Sequence, residues 1–106
     1  MELITTCAER NLLVRCVGEL DHHGAKGAMV ALDQAVEAAL PKKLVLDFEG
    51  VSFMDSSGIA FILRALQKMQ RLEGHLLVCN VKPQAKRVLD AAGVSRMVRI
   101  SQEKMD

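Results

Sequence analysis

Short runs of aliphatic residues alternate along this chain with longer segments in which apolar positions recur every three or four residues. The first pattern predicts strands and the second amphipathic helices. Leu3 to Ala8 and Leu12 to Val17 read as two strands. The link Glu9-Arg10-Asn11 is too short for a crossover, so they should form an antiparallel hairpin. Gly18-Glu19-Leu20-Asp21 breaks the second strand, and a helix follows from about His23 to Leu40. Its apolar stripe is Ala25, Ala28, Met29, Leu32, Val36, Ala39 and Leu40, while Lys26, Asp33 and Glu37 face away. Gly24 and Gly27 weaken its first turns and Pro41 stops it. Lys43 to Phe48 is apolar enough for a strand buried on both faces.

Helical spacing resumes from Ile59 to Leu72, with Gly74 as its C-cap, and His75 to Val81 is a fourth strand. Pro83 suits the first turn of a third helix, with Val88, Leu89 and Ala92 inward and Gly93 ending it. Met97 to Ile100 is a short last strand. The order β-β-α-β-α-β-α-β defines one α/β domain over residues 1–106, with a mostly parallel, mixed sheet. Residues 1–100 form the core, and Ser101 to Asp106 is a short polar tail that frays.

Composition narrows the function. The chain has 106 residues, half of them hydrophobic, which is enough for one core. A formal net charge of +1 gives no field to attract nucleic acid or a membrane, and no Trp or Tyr is present to stack on bases. Cys7, Cys16 and Cys79 lie in apolar strand-like segments without metal spacing, so they read as buried, reduced thiols. No leader-like or membrane-length apolar run occurs, and a cytoplasmic protein is expected.

The chemistry concentrates at Val51-Ser52-Phe53-Met54-Asp55-Ser56-Ser57-Gly58-Ile59, between a strand and a helix. Asp55 or a neighbouring serine can cap that helix, because first-turn N–H groups lack partners. A serine hydroxyl thus stands near the positive end of a helix dipole, a position suited to a phosphate. Hydrolase chemistry fits poorly: G-x-S-x-G is absent, and an aspartate adjacent to a serine does not orient His22 or His23. His22-His23 lacks further ligands at metal spacing, no glycine-rich phosphate loop exists, and no cofactor is expected. Lys82, Lys86 and Arg87 make only a small basic face. Taken alone, Asp55-Ser56-Ser57-Gly58 could be no more than a helix cap.

The motif does not stand alone. Gly18-Glu19-Leu20-Asp21-His22-His23, Val45-Leu46-Asp47-Phe48, Val51 to Gly58 and Val88-Leu89-Asp90-Ala91-Ala92-Gly93-Val94 together resemble the bacterial anti-sigma factor antagonists of the STAS family. The resemblance runs from about Leu3 to Ile100, and the Gly-Glu-Leu-Asp-His-His form looks most like the sporulation members. It implies a small sheet with helices packed largely on one side. It also implies a regulatory binding module, not an enzyme, that binds an anti-sigma factor serine kinase and so releases a sigma factor. By resemblance, the kinase phosphorylates the serine directly after the motif aspartate, here Ser56, and a separate serine phosphatase reverses the modification.

The expected partner surface comprises Asp21, Asp55, Ser57 and Gly58, with Arg64 and Lys68 on the exposed side of the second helix. Gly58 would let a partner backbone approach. Asp21→Ala would perturb stability no more than an ordinary surface change. Family members commonly end in a helix after the last strand, whereas residues 101–106 allow a turn or two. Alternative readings are an antagonist in a stress-response kinase pathway, or a stand-alone STAS domain that binds a small ligand or nucleotide.

Overall fold

A computed structural model describes residues 1–101. Strands β1 (Glu2–Ala8) and β2 (Asn11–Leu20) form the expected antiparallel hairpin, with Ala8 opposite Asn11. The two linking residues, Glu9 and Arg10, both have positive φ, 53° and 66°. That geometry matches the right-handed twist of the flanking strands. Helix α1 (His22–Ala39), strand β3 (Lys43–Met54), helix α2 (Ser56–Arg71), strand β4 (His75–Cys79) and helix α3 (Pro83–Ala91) follow. A 3-10 turn, Val94–Arg96, leads into strand β5 (Arg99–Ser101).

The sheet runs β1-β2-β3-β4-β5, the same order as the chain, and every pair after the hairpin is parallel. Each crossover therefore advances one strand in the same direction, and right-handed connections place all three helices on one face. Consistently, α1 packs on α2 and α2 on α3. Their shared core holds Leu20, Leu32, Leu44, Leu46, Phe48 and Phe61, all fully buried.

Several details depart from the sequence reading. The second strand does not break at Gly18. It continues to Leu20 through irregularities at Arg15/Val17 and Gly18/Glu19. Gly18 adopts φ +117°, which absorbs the distortion without a side-chain penalty. With β2 extended, β3 also continues past Phe48, and Leu20 finally pairs with Met54. Nor is β3 buried equally on both faces. Leu44, Leu46 and Phe48 are buried under the helices, whereas Val45 is only half-buried and Glu49 exposed. On neighbouring strands of the uncovered face, Ile4 and Val17 are 43% and 40% exposed.

Leu40 is the left-handed cap of α1 and points to solvent, so it leaves the apolar stripe. At the end of α2 the left-handed residue is Glu73 (φ 55°), one position before the glycine chosen from sequence. Gly74 N–H donates to Met69 O and Glu73 N–H to Gln70 O, closing the helix end. The fourth strand stops at Cys79, short of Val81, and the last begins at Arg99, two residues after Met97. Ser101 belongs to β5, opposite Cys79, and the rest of the expected tail, residues 102–106, lies outside the described residues.

Two of the three thiols are buried as expected, but Cys7, on the edge strand, is exposed. Burial, and secondarily the charge of Asp47, pushes the Cys16 thiol up to about 12, which keeps it protonated and unreactive. Asp47 itself is 3% exposed and accepts from Asn80 Nδ2 and from the Glu49 amide, each at 3.0 Å.

Candidate functional site: two capped helices at one sheet edge

Because Leu20 and Met54 pair, β2 and β3 end side by side, and each is followed at once by an aspartate. Asp21 and Asp55 have nearly the same extended backbone, φ/ψ −111°/−173° and −116°/−166°. Both cap a helix. Asp21 Oδ1 accepts from the amides of His23 (3.0 Å) and Gly24 (2.8 Å), and these bonds, the Gly24 one foremost, hold its carboxyl below the usual aspartate range. Asp55 Oδ1 accepts from the Ser57 amide at 2.7 Å. Its second oxygen accepts from the His22 amide, the first residue of α1, at 3.1 Å. One carboxylate thus satisfies first-turn donors of two helices and sets their N-termini beside each other.

The partner surface expected from sequence joined Asp21 and Asp55 without this bridge. Asp21 is a cap as well as a surface charge, so Asp21→Ala removes two hydrogen bonds and is no ordinary surface change.

Ser56 is the first residue of α2 and is exposed, and its hydroxyl bonds to no other described residue. Ser57 is half-buried with its amide tied to Asp55. The two serines therefore differ in access, and the cap falls to Asp55, not to either hydroxyl. Gly58 is buried. A Cβ there would lie 2.4 Å from Cγ and 2.7 Å from Sδ of Met54, a fully buried side chain. Packing inside the domain accounts for this glycine, in place of the expected approach of a partner backbone. Near the corner, Phe53 is 43% exposed and the rings of His22 and His23 meet edge to face at 5.5 Å.

Arg64 and Lys68 stand apart from the corner, and their charges are already engaged. Arg64 Nε donates to Asp33 Oδ1 at 2.8 Å with a second guanidinium bond to Oδ2, and Lys68 Nζ lies 3.1 Å from Asp33 and 3.7 Å from Glu37. Lys68 is only 14% exposed, so it is not the open surface position expected from sequence. Asp33, assigned to the outer face of α1, turns instead toward α2. The complementary pairs Asp33/Glu37 and Arg64/Lys68, each four residues apart, were a legible signal for this contact.

The Arg64 hydrogen bond, followed by Lys68, lowers the Asp33 carboxyl to about 2. A depressed carboxylate contributes stability above its ordinary value, and that contribution is lost as pH falls through the folded one. The stability difference between wild type and Asp33→Asn should therefore be constant above about pH 5 and shrink between about pH 4 and 2. Denaturant unfolding across that range checks this. The difference itself should be modest because the pair is partly solvated.

Among the described residues no group of His, Cys, Asp and Glu is arranged to hold a metal, and no helix is long and apolar enough to cross a membrane. The STAS domain model matches residues 2–105. The chain belongs to the STAS domain family. An anti-sigma F factor antagonist from Paenibacillus polymyxa is 35% identical over 89 residues, which is 84% of this chain and 76% of that protein. The crystal structure of an anti-sigma factor antagonist from Mycobacterium paratuberculosis aligns with a TM-score of 0.85 at 22% identity, covering 96% of this chain and 86% of the other. The Bacillus cell fate determinant SpoIIAA in its phosphorylated form aligns with a TM-score of 0.71 at 24% identity, covering 96% and 93%. These two structural likenesses are likenesses of fold.

Proposed function

We propose that this protein is an anti-sigma factor antagonist of the SpoIIAA type, a regulatory binding module that acts in the cytoplasm. In its unmodified state it binds an anti-sigma factor that is also a serine kinase, and a sigma factor is thereby released. The kinase then transfers the γ-phosphoryl group of ATP to Ser56 Oγ; ADP leaves and the hydroxyl proton passes to the kinase. A serine phosphatase hydrolyses the ester and restores the binding form.

The observation that carries this reading is the exposed hydroxyl of Ser56 at the first position of α2, directly after the Asp55 cap. A kinase can reach it, whereas the neighbouring Ser57 is half-buried. Asp55 satisfies the first-turn amides, which leaves the Ser56 oxygen unencumbered. The partner surface on this reading centres on Asp21, Asp55, Ser56 and Ser57. Exposed Phe53 and the His22-His23 pair lie at its margin. Gly58 supports it from below, and Arg64 and Lys68 buttress α2 against α1.

Incubation with the cognate kinase and ATP, followed by phosphopeptide mapping, is the test. A single phosphate on Ser56 is expected. A phosphate on Ser57 with Ser56 unmodified overturns the assignment.

A further inference from the structure

Strand β3 outlasts its neighbour β4: their pairing ends at Asp47, seven residues before β3 stops at Met54. On its other edge β3 stays paired with β2 as far as Leu20–Met54. The backbone of Met54 on the β4 side would therefore lack strand partners. Gln84, in the first turn of α3, supplies them. Its Oε1 accepts from the Met54 amide at 2.9 Å, and its Nε2 donates to the Met54 carbonyl at 2.8 Å. The side-chain carboxamide thus stands where the peptide group of an adjacent strand would be. Donor and acceptor match in only one orientation of the amide.

Met54 is the residue before Asp55, two before Ser56, and its side chain fills the space left by Gly58 under the first turn of α2. The corner is held from the β2 side as well, by Asp55 N–H to Leu20 O at 3.3 Å and by Asp55 Oδ2 to His22. Gln84 is the matching restraint on the opposite side.

We infer that Gln84 is a positioning residue for phosphoryl transfer to Ser56: by clamping both backbone groups of Met54 from α3, it fixes the direction in which the Ser56 hydroxyl meets the kinase. The role depends on the phosphorylation switch proposed above. In-line attack on phosphorus tolerates little misplacement of the nucleophile, and errors near 1 Å cost on the order of 100-fold in rate. A loose corner would therefore slow transfer more than docking, which the surrounding surface provides.

The test compares wild type with Gln84→Met, which keeps the bulk and removes both bonds, and with Gln84→Glu, which keeps the acceptor but sets a second oxygen against the Met54 carbonyl. Steady-state phosphorylation by the cognate kinase should show kcat lowered about 10- to 100-fold in Gln84→Met, with KM within about twofold of wild type. Gln84→Glu should fall in the same direction. Amide exchange at Met54 should be at least about tenfold faster in Gln84→Met at unchanged circular dichroism. A merely structural loss of stability in a protein still folded at the assay temperature would leave kcat unchanged. If Gln84→Met does not fold, Gln84→Glu carries the same comparison. Equal kcat in wild type and the folded variants overturns the role of Gln84 and leaves Ser56 as the acceptor. Unchanged exchange at Met54 also overturns it. A wild-type protein that takes no phosphate removes the switch and the positioning role together.

Discussion

Phosphorylation of Ser56 is expected to weaken binding to the anti-sigma factor by on the order of 100- to 1000-fold while leaving the fold intact. The modification adds about −1.5 to −2 charges and a tetrahedral group to an exposed position. It does so at the N-terminus of α2, where the helix dipole favours an anion, so circular dichroism and the unfolding midpoint should change little. A partner surface shaped for a neutral hydroxyl next to Asp55 meets a bulky hydrated dianion instead. A penalty of roughly 3 to 4 kcal/mol corresponds to the stated loss.

Ser56→Ala removes a hydroxyl that bonds to no other described residue, so its cost in stability should stay below about 1 kcal/mol. It should bind as wild type does and remain bound in ATP. Ser56→Asp, with one charge and no tetrahedral group, should fall between. Titration calorimetry on the three proteins and on the phosphorylated wild type decides the matter. Equal affinities for all four would show that the corner is only a helix cap.

The second large effect is expected at Asp55. Asp55→Ala leaves the amides of Ser57 and His22 without their acceptor, at the starts of both α2 and α1. Loss of the α2 N-cap costs about 1 kcal/mol and loss of the His22 hydrogen bond about as much, so the variant should cost about 2 kcal/mol, or roughly 10 °C in the unfolding midpoint for a domain of this size. Asn caps helices well, but its amide nitrogen cannot accept from His22. Asp55→Asn should therefore lose about half as much. Calorimetric melting of the three proteins measures both values. Equal midpoints for Asp55→Ala and wild type would mean that water replaces the carboxylate at both helices without cost.

The hairpin, the alternation of strands and helices, and a polar cap at Asp55 or a neighbouring serine were legible because each depends on local chemistry: link length, apolar period, and short polar side chains before a helix. What escaped depended on residues distant in the chain. Gly18 looks like a strand break and Phe48 like a strand end until β2 and β3 are laid side by side, when pairing carries both strands onward to Leu20 and Met54. Asp33 looks solvent-facing on α1 alone, and its turn toward α2 shows in the sequence only when its spacing to Glu37 is matched with that of Arg64 and Lys68, some thirty residues on. The bridge from Asp55 to His22 spans 33 residues and follows from the Leu20–Met54 register, which no single segment encodes. Gln84 leaves no trace at all in its own sequence surroundings. Nothing in Pro83-Gln84-Ala85 says that a strand edge lies opposite.

Sheet order equal to chain order also bears on how the molecule is made. Every strand pairs with the strand before it in the chain, so each pairing closes only one turn or one helical crossover. No strand has to be inserted between two others, and no finished pair has to reopen. At the serine corner, the restraints from β2 and α1 reach back along the chain to Leu20 and His22, while the Gln84 clamp reaches forward to α3. The corner is thus held from both directions along the sequence, by Leu20 and His22 before it and by Gln84 after it.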